Sequence, residues 1–365
     1  MKQWFKLLVV SVIAVTVVML FSSSILAAPR PSPSPTPTPT ILPTPVPGLT
    51  TVCIWKDNKI AAFTPTYDDG LWDSIVQIDP IQTKYGITGS LCIPTQEFNT
   101  LNGIHWVDLK AMAQRGVFDL NSHTNTHLHL IKATAAEMDA EFEVSNNMIY
   151  SNTGFKAEAI ADPYNETNAA VKVEEAKYYV CARQGNFSAT FPVYPETNDY
   201  YGLYAYVFGR DNLATMQSWV DYGVTNGTWC IINFHGVGND GWQPCPLADL
   251  DGLFAYVASK SNQIWNAGLP AVGKYIRERQ TSTITIQSNT ATQIILALTN
   301  TLVDNYWYSF NQPLTLKTCV PGNWTSATIT QGATRVTKPV VTEGAYRFIY
   351  YDALPNQGPV TLTGI

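Results

Sequence analysis

The stretch AAFTPTYDDG at residues 61–70 is an apolar run that ends in two carboxylates and a glycine. Its first seven residues predict a buried strand, so Asp68 and Asp69 stand at the carboxyl end of that strand. In parallel β/α folds the functional side chains collect at this end of the strands. An Asp-Gly pair is also ordinary turn chemistry, so the segment needs partners before it indicates a site.

The rest of residues 51–279 alternates apolar runs with amphipathic segments. The strand-like runs are GSLCI (89–93), GVFDLNS (116–122), AEAIADPY (157–164), YYVCARQ (178–184), TWCIINFHG (228–236) and QIWNAG (263–268). The segments with helical spacing are 105–114, 134–151, 168–177, 211–225 and 248–260. This alternation predicts an α/β fold with parallel strands and crossover helices, and the number of runs suggests a barrel. An open doubly wound sheet is the competing fold, but no glycine-rich phosphate loop supports a nucleotide site in it.

After residue 279 the sequence pattern changes to short runs rich in Thr, Val, Ile and Tyr, separated by turns that contain Asn, Pro and Gly. Examples are TSTITIQ, QIILAL, PLTLKTCV, SATITQG, YRFIYY and PVTLTG. Alternation of this kind, over roughly the length of an immunoglobulin-like domain of about 100 residues, is typical of antiparallel sheets. We expect residues 280–365 to form a small β-sandwich.

The N-terminal segments are expected to precede the folded domains. Residues 1–28 carry Lys2 and Lys6 before an apolar run and end in Ala27 and Ala28, which predicts a secretory signal peptide. An uncleaved anchor is the weaker alternative, because the run is at the short end of the roughly 20 residues that span a bilayer. Residues 29–50 form a Pro/Thr/Ser-rich linker. We expect a secreted or cell-surface protein with no stable membrane span after cleavage.

Composition narrows the class of protein. The chain has 365 residues, of which 45% are hydrophobic and 12% aromatic, and this is enough to bury a large core. Its net charge is −6. Binding to the phosphate backbone of a nucleic acid requires an excess of basic residues, so no nucleic-acid partner is expected. Six cysteines leave the disulfide pairing open, although Cys92, Cys181 and Cys230 lie in strand-like runs that favour buried thiols.

Two further strand ends carry histidines. SHTNTH at 122–127 places His123 and His127 four residues apart, which on one helical turn would aim both imidazoles at a shared metal ion. The alternative is a pair of solvated or capping histidines. His235 follows the apolar strand TWCIINF, and alone it would be read as a core histidine. His129 and His105 have no such partner geometry and are expected to be bystanders.

Taken together, these motifs resemble those of the polysaccharide deacetylase family, the NodB-homology enzymes of carbohydrate esterase family 4. TYDDG (66–70) resembles its first motif and SHTNTH (122–127) its second. ADPYNETN (161–168) lies where the third motif belongs, and FHGVG (234–238) resembles the late histidine motif. The resemblance covers residues 61–279 and implies a distorted (β/α) barrel.

The resemblance also implies a reaction and its residues. The reaction is metal-dependent hydrolysis of acetyl groups on a polysaccharide or oligosaccharide, either N-acetyl of chitin-like glycan or peptidoglycan or O-acetyl of xylan, with release of acetate. The metal would be Zn²⁺, Co²⁺ or another divalent transition ion. The implied metal ligands are Asp69, His123 and His127, the implied base is Asp68, the backbone N–H of Tyr164 would hold the oxyanion, and His235 would be the acid.

The chain departs from the family pattern in the third motif. Ala161 occupies the place of an arginine that orients the catalytic aspartate, and the family's DxW motif has no convincing match. Arg183, near the end of the run YYVCARQ, is our candidate replacement. Its alternative interpretation is a surface or structural arginine.

Two other functional classes remain open at this stage. A catalytically weak or inactive carbohydrate-binding protein fits the altered third motif, although Asp68 and His235 are present. A different metallohydrolase, such as a phosphoesterase, lacks support. The sequence shows no second cluster of metal ligands and no group of basic residues that would hold a phosphate. Trp242 in HGVGNDGW is a candidate for stacking on a sugar or, equally, a core residue. The sandwich could bind glycan or simply pack on the barrel, and its sequence does not decide between them. The oligomeric state is also undecided.

Overall fold

A computed structural model of the protein describes residues 45–100, 105–186 and 193–365. The expected signal peptide and most of the expected linker lie outside these residues. Where the chain is described, no helix combines the length and the apolar character needed to cross a membrane.

Seven parallel strands form a closed barrel, because its first strand, Ala61–Tyr67, pairs with neighbours on both sides. That strand, β2, pairs with Trp229–Phe234 on one side and, through Thr66 and Tyr67, with Gly89–Ile93 on the other. The barrel strands are β2 (Ala61–Tyr67), β3 (Gly89–Ile93), β4 (Phe118–Ser122), β5 (Ala159–Ala161), β6 (Cys181–Asn186), β7 (Leu203–Val207) and β8 (Trp229–Phe234). A short strand, β9 (Ile264–Asn266), pairs with the first half of β2. The expected barrel is confirmed over the open doubly wound sheet.

Helices follow most of these strands. They are α1 (Trp72–Tyr85), α2 (Thr95–Thr100), α3 (His105–Gln114), α4 (Ala135–Thr153), α5 (Ala169–Glu175), α6 (Leu213–Asn226), α7 (Leu247–Ser259) and α8 (Leu269–Thr281). The five predicted helices are present within a few residues of their expected bounds. Helices α1 and α8 and strand β7 lie in segments for which the sequence made no prediction.

The start of α4 illustrates how local sequence sets a boundary. Thr134 and Glu137 form a capping box: the Glu137 carboxylate accepts the Thr134 N–H at 2.8 Å, and the Thr134 hydroxyl accepts the Glu137 N–H at 3.3 Å. The helix ends at Gly154, whose φ of 81° is costly for a residue with a Cβ.

The C-terminal region is a sandwich of two antiparallel sheets, as expected. Its strands are β10 (Thr283–Asn289), β11 (Gln293–Thr299), β12 (Leu314–Cys319), β13 (Ser326–Gln331), β14 (Thr334–Pro339), β15 (Val341–Glu343), β16 (Tyr346–Ala353) and β17 (Val360–Gly364). One sheet has the order β10-β11-β17-β13-β14. The other joins β12, β16 and β15 to a strand from before the barrel, β1 (Thr50–Val52).

Strand β1 links the segment before the barrel to the C-terminal sandwich. Thr51 lies opposite Lys317, so residues 50–52 belong to the C-terminal sheet. A three-residue strand is too short to show periodicity, and its partner lies more than 260 positions away, so local sequence does not reveal the pairing. The domain boundaries at residues 28, 50 and 279 stay predictions.

The sandwich packs on the barrel through one continuous apolar core. A single cluster joins Trp55, Trp265 and Tyr275 with Leu314 and Ile349 from the sandwich. The Tyr275 hydroxyl donates to the Cys53 carbonyl at 2.9 Å, which ties α8 to the segment after β1. The sequence left open whether the sandwich packs on the barrel, and the structure shows that it does.

All six cysteines lie in the described residues and are buried, unpaired thiols. This agrees with the expectation for Cys92, Cys181 and Cys230. Burial raises the pKa of the Cys181 thiol to about 12, which keeps it protonated at neutral pH.

Candidate metal and catalytic site

The polar residues singled out in the sequence converge at the carboxyl ends of the barrel strands. Asp68 and Asp69 follow β2, His123 follows β4, Arg183 lies on β6 and His235 follows β8. Four separate strand ends therefore contribute to one site, as the barrel geometry requires.

Asp69, His123 and His127 bring three metal-binding atoms together. The Nε2 atoms of His123 and His127 lie 3.7 Å and 3.6 Å from Oδ1 of Asp69, and 3.1 Å from each other. An ion held tetrahedrally at about 2.0–2.2 Å from each donor puts its donors roughly 3.3–3.6 Å apart. Within the described residues this is the one group of three such side chains close enough to hold an ion. Donor type and spacing both fit a divalent transition metal.

The two histidines do not lie on a helical turn, so that part of the sequence-based prediction is wrong. Residues 123–129 form a loop in which Thr124 and His127 have φ angles of 65° and 56°. The physical reason is the Glu141 carboxylate of α4, which accepts the backbone N–H groups of Asn125 and Thr126 at 2.8 Å and 2.7 Å. These N–H groups are satisfied outside any helix, and the loop still aims both imidazoles at Asp69.

His123 is held in a tautomer suited to metal binding. Its Nδ1 lies 2.8 Å from the carbonyl oxygen of Ala161, which can only accept, so Nδ1–H donates and the Nε2 lone pair faces Asp69. Burial lowers the pKa of His123, but Asp68 and Asp69 outweigh it and raise the pKa overall. Burial, followed by repulsion from His123, lowers the pKa of His127 to about 4, so its imidazole is neutral at pH 7.

Asp69 occupies a turn that demands unusual backbone angles. Its φ is 67°, and Gly70 follows with a φ of 60°. Asp tolerates the left-handed region better than most residues, and Gly enters it at no steric cost. The DDG sequence is therefore suited to turning the second carboxylate toward the histidines while the first stays at the strand end.

Asp68 is a buried carboxylate surrounded by hydrogen-bond donors. Arg183 donates from Nη2 to Oδ1, and Asn233 donates from Nδ2 to Oδ2 at 3.0 Å. The Nε2 atom of His235 lies 3.6 Å from Oδ2. Burial alone would raise the pKa of Asp68, but the charge of Arg183, with smaller contributions from His123 and His235, holds it well below its usual range. Asp68 is therefore ionised at neutral pH.

Arg183 stands where the third-motif arginine is missing. It lies directly opposite Ala161 in the parallel pair of β5 and β6, so the neighbouring strand supplies the guanidinium that Ala161 lacks. Its side chain is fully buried, which rules out the surface interpretation. Arg183 reaches Asp68, as we expected from the sequence.

Asn233 is a site residue that the sequence analysis did not assign. Besides donating to Asp68, it accepts a hydrogen bond from the Thr66 hydroxyl at 3.2 Å. A signal was present, because Asn233 is a buried amide in the apolar run WCIINF and lies two positions before His235, on the same side of an extended chain. Its amide fixes the second oxygen of Asp68.

Tyr164 and His129 border the metal-ligand cluster. Tyr164 is half-exposed with a φ of 60°, and its ring stacks on His129 at a centroid distance of 3.6 Å. His129 is also paired with Glu166, 2.9 Å from Nδ1 to Oε2. His129 is therefore not one of the three converging donors, although it supports the loop that carries the Tyr164 N–H. His105 lies away from the cluster, where it stacks on Trp72 at 3.9 Å.

Trp242 lies at the mouth of the site beside His235. The two rings meet edge to face at 5.5 Å, and 46% of Trp242 is exposed. The interpretation of Trp242 as a core residue is therefore wrong. An exposed indole next to the expected acid is a surface on which a sugar ring can stack.

Comparison with known proteins agrees with this geometry. Residues 56–181 match the family model described as polysaccharide deacetylase, and this stretch contains the first three motifs. Residues 56–181 are therefore similar to the polysaccharide deacetylase family. The matched region is the first half of the barrel, including every member of the metal-ligand cluster.

Other similarities are more distant. A gellan lyase from a Bacillus species is 22% identical over 344 residues, which is 86% of this chain but only 13% of that protein's length. A family 4 carbohydrate esterase from Streptomyces lividans, solved with acetate, has a TM-score of 0.39 at 17% identity and covers 55% of this chain and 88% of its own. A family 4 acetyl xylan esterase from Clostridium thermocellum, solved with cobalt, has a TM-score of 0.40 at 14% identity and covers 58% and 89%.

Proposed function

We propose that the protein is a metal-dependent hydrolase that removes acetyl groups from a polysaccharide or oligosaccharide. The observation that carries the proposal is the cluster of Asp69, His123 and His127 next to the ionised, buried Asp68. The family match of residues 56–181 supports the same reaction class. The same attack serves an N-acetyl and an O-acetyl group, so chitin-like glycan, peptidoglycan and acetylated xylan are all candidate substrates.

The metal would be held by Asp69, His123 and His127, whose donor atoms and spacing fit Zn²⁺, Co²⁺ or a similar ion. A bound ion of this kind polarises the acetyl carbonyl and acidifies water. His123 contributes a lone pair because Ala161 holds its other nitrogen, and Asp69 contributes a charge that offsets part of the ion's own.

The protein's own groups would move the protons. Asp68, held ionised and aimed by Arg183 and Asn233, accepts a proton as water adds to the acetyl carbon. The backbone N–H of Tyr164 stabilises the developing oxyanion. His235 then protonates the departing amine or hydroxyl as the C–N or C–O bond breaks, which releases acetate. Trp242 at the mouth would stack on a sugar ring of the polymer.

The decisive experiment measures acetate release and bound metal together. The chelated protein should be inactive on a panel of acetylated chitin oligomers, peptidoglycan and xylan, and Zn²⁺ or Co²⁺ should restore activity on at least one of them. His123→Ala and His127→Ala should each lose metal and activity, whereas the neighbouring His129→Ala should retain its metal.

Three results would contradict the proposal. Full acetate release after thorough chelation would show that no metal is needed. Metal loss in His129→Ala with retention in His127→Ala would mean that the ligands are assigned wrongly. Glycan binding without acetate release on the whole panel would favour the alternative, a carbohydrate-binding protein on the same fold.

We further propose that the protein acts outside the cell, either secreted or held at the cell surface. The basis is the signal-like sequence of residues 1–28 and the Pro/Thr/Ser-rich linker that follows. N-terminal sequencing of the mature protein from the culture medium tests this. A mature chain that retains Met1 inside the cell would contradict it.

A further inference from the structure

A second concave surface lies on the outside of the barrel, away from the strand ends that carry the metal-ligand cluster. It is formed by the second half of α4, the turn that leads to β5 and the segment before β12. Its volume is about 340 Å³, which falls within the roughly 300–1,000 Å³ of small-molecule sites. It shares no lining residue with the site described above, so a ligand here would be a separate occupant.

Aromatic rings form its walls. Tyr150 and Tyr306 are 51% and 72% exposed, which is far more than packing in a core allows. The rings of Tyr306 and Trp307 meet at 86° with centroids 4.7 Å apart, so they present surfaces in two directions. Exposed aromatic faces match the apolar C–H faces of a pyranose ring, which are hydrophobic although the sugar's edge is polar.

A buried amide faces the same cavity. Asn146 lines it, is only 2% exposed, and has no hydrogen-bond partner within the described residues for either its oxygen or its nitrogen. An unpaired buried polar group is costly because it has lost its hydrogen bonds to water, so an amide left in this state needs a partner. The amide offers a donor and an acceptor side by side, which matches neighbouring sugar hydroxyls that both donate and accept.

The charge of the pocket selects among sugars. Its single charged lining residue is Lys156, whose Nζ already donates to the Tyr306 carbonyl at 2.6 Å and lies 5.8 Å from the centre of the Tyr306 ring. This contact fastens the barrel to the segment that carries the aromatic rings. Among the lining residues there is no carboxylate to pair with an amine. The pocket therefore fits an uncharged sugar better than a cationic amino sugar.

We propose that this pocket binds a neutral pyranose unit of a glycan, separately from the metal site. The chemistry is stacking on Tyr150 and Tyr306 combined with hydrogen bonds from Asn146. A protein with two separated glycan contacts holds a polymer at two points, which raises its effective affinity for long chains over short ones.

The test is titration calorimetry on the chelated full chain, so that no ligand is hydrolysed during the measurement. The probes are hexamers of xylose, of N-acetylglucosamine and of glucosamine. Tyr306→Ala and Asn146→Leu should each weaken binding of a neutral hexamer by about tenfold, equivalent to about 1.4 kcal/mol. Tyr222→Ala, which truncates an exposed tyrosine on α6, should leave the dissociation constant unchanged. The glucosamine hexamer should bind at least about tenfold more weakly than the N-acetylglucosamine hexamer.

A metal-site variant separates this proposal from the proposed function. His127→Ala should keep the binding, since its side chain is not part of the pocket, and this holds whether or not the protein is a deacetylase. Unchanged affinity in Tyr306→Ala, loss of binding in His127→Ala, equal affinity for the cationic hexamer, or no binding of any hexamer would each overturn the proposal. Tyr306 is on the surface, so its variant decides the outcome even if Asn146→Leu fails to fold.

Discussion

At the scale of single residues, the proposed chemistry depends on two adjacent carboxylates with different surroundings. Asp69 faces the two histidines, whereas Asp68 faces Arg183 and Asn233. Neighbouring carboxylates repel each other when both are ionised, and the guanidinium of Arg183 offsets this repulsion at Asp68. This difference in environment is the basis for the proposed roles of Asp69 as metal ligand and Asp68 as base.

The first prediction concerns Asp68→Asn. The variant keeps Asp69 and both histidines, so bound metal should stay near one per chain. The rate of acetate release should fall by about 10²–10⁴-fold, because a general base has been removed. Metal analysis and an acetate assay on the same preparation separate the two quantities. Asp73→Asn, at an exposed aspartate in the first turn of α1, should change neither. Equal loss of metal in the Asp68 and Asp69 variants would mean that both carboxylates coordinate the ion.

The second prediction exploits the pairing of Ala161 with Arg183. Arg183→Ala leaves Asp68 buried without its guanidinium and should lower both turnover and stability, by about 3–5 kcal/mol for the broken buried pair. Because the two positions are opposite each other on adjacent strands, the double variant Ala161→Arg/Arg183→Ala should recover part of the turnover. The measurements are kcat, its pH profile and the melting temperature.

Arg183→Lys is the matched control for that pair. It keeps the positive charge but loses the planar fork, so it should recover stability more than turnover. Unchanged kcat and pH profile in Arg183→Ala would show that Arg183 does not orient the base. Failure of the double variant with correct folding would show that the guanidinium acts only from β6.

At the scale of elements, residues of neighbouring helices hold in place the loops that carry the site. Glu141 of α4 holds the histidine loop through the backbone of residues 125 and 126. Glu175, the last residue of α5, lies against Asp162, which immediately precedes the turn that carries Tyr164. Both helices therefore position the site without lining it.

The third prediction concerns the buried pair of Asp162 and Glu175. Burial, followed for Glu175 by repulsion from Asp162, raises the pKa of Glu175 well above its usual value, and burial raises that of Asp162 to about 6. Two carboxylates offer only acceptors, so their hydrogen bond exists when they share a proton. Above about pH 4, where the carboxyls of an unfolded chain ionise, the folded pair binds more protons than the unfolded chain. Its contribution to stability therefore falls as pH rises through about 6, the pKa of Asp162, and beyond.

The variant Glu175→Gln tests whether the stability contributed by the pair falls as pH rises. The amide donates to Asp162 without a titrating proton, so the variant should gain stability relative to the parent as pH rises from 5 to 8, by about 1–3 kcal/mol. Urea denaturation at both pH values measures the difference. Glu143→Gln, at an exposed glutamate on α4, should show no such dependence. A constant difference between parent and Glu175→Gln would mean that the pair does not share a proton.

At the scale of the whole molecule, the barrel and the sandwich share one core. The apolar cluster runs from Trp229 and Trp265 of the barrel to Leu316 and Leu362 of the sandwich. Strand β1 adds backbone pairing between the segment before the barrel and β12. We therefore expect the described part of the chain to unfold as one cooperative unit.

The fourth prediction tests this coupling with Leu316→Ala. Leu316 is fully buried in the sandwich, so truncation should cost about 2–5 kcal/mol. Calorimetry should show a single transition at lower temperature, and the metal site should be lost in that same transition. Val336→Ala, on the exposed edge strand β14, should shift the transition little. Two separate transitions, with the barrel unaffected, would contradict a shared core.

The sequence predicted most of the architecture because the signals it uses are local. Largely apolar runs marked β2, β3 and β8, since strands buried on both faces have no regular polar alternation. The helical spacing of apolar residues over 134–151 predicted α4 within a few residues of its observed bounds, Ala135–Thr153. The motif residues Asp68, Asp69, His123, His127 and His235 were found for the same reason, because each follows a run that ends at the same edge of the barrel.

Tertiary structure alone decided which segments that are distant in sequence come into contact. The loop conformation of His123–His127 depends on Glu141. The sequence offered two interpretations of Arg183, and its contact with Asp68 depends on its position opposite Ala161. The place of residues 50–52 depends on their pairing with β12. None of these leaves a periodic trace, because a hydrogen bond or ion pair needs only that two groups meet in space. The chain order determined which residues reach the carboxyl ends of the strands, and the closure of the barrel determined which of them touch.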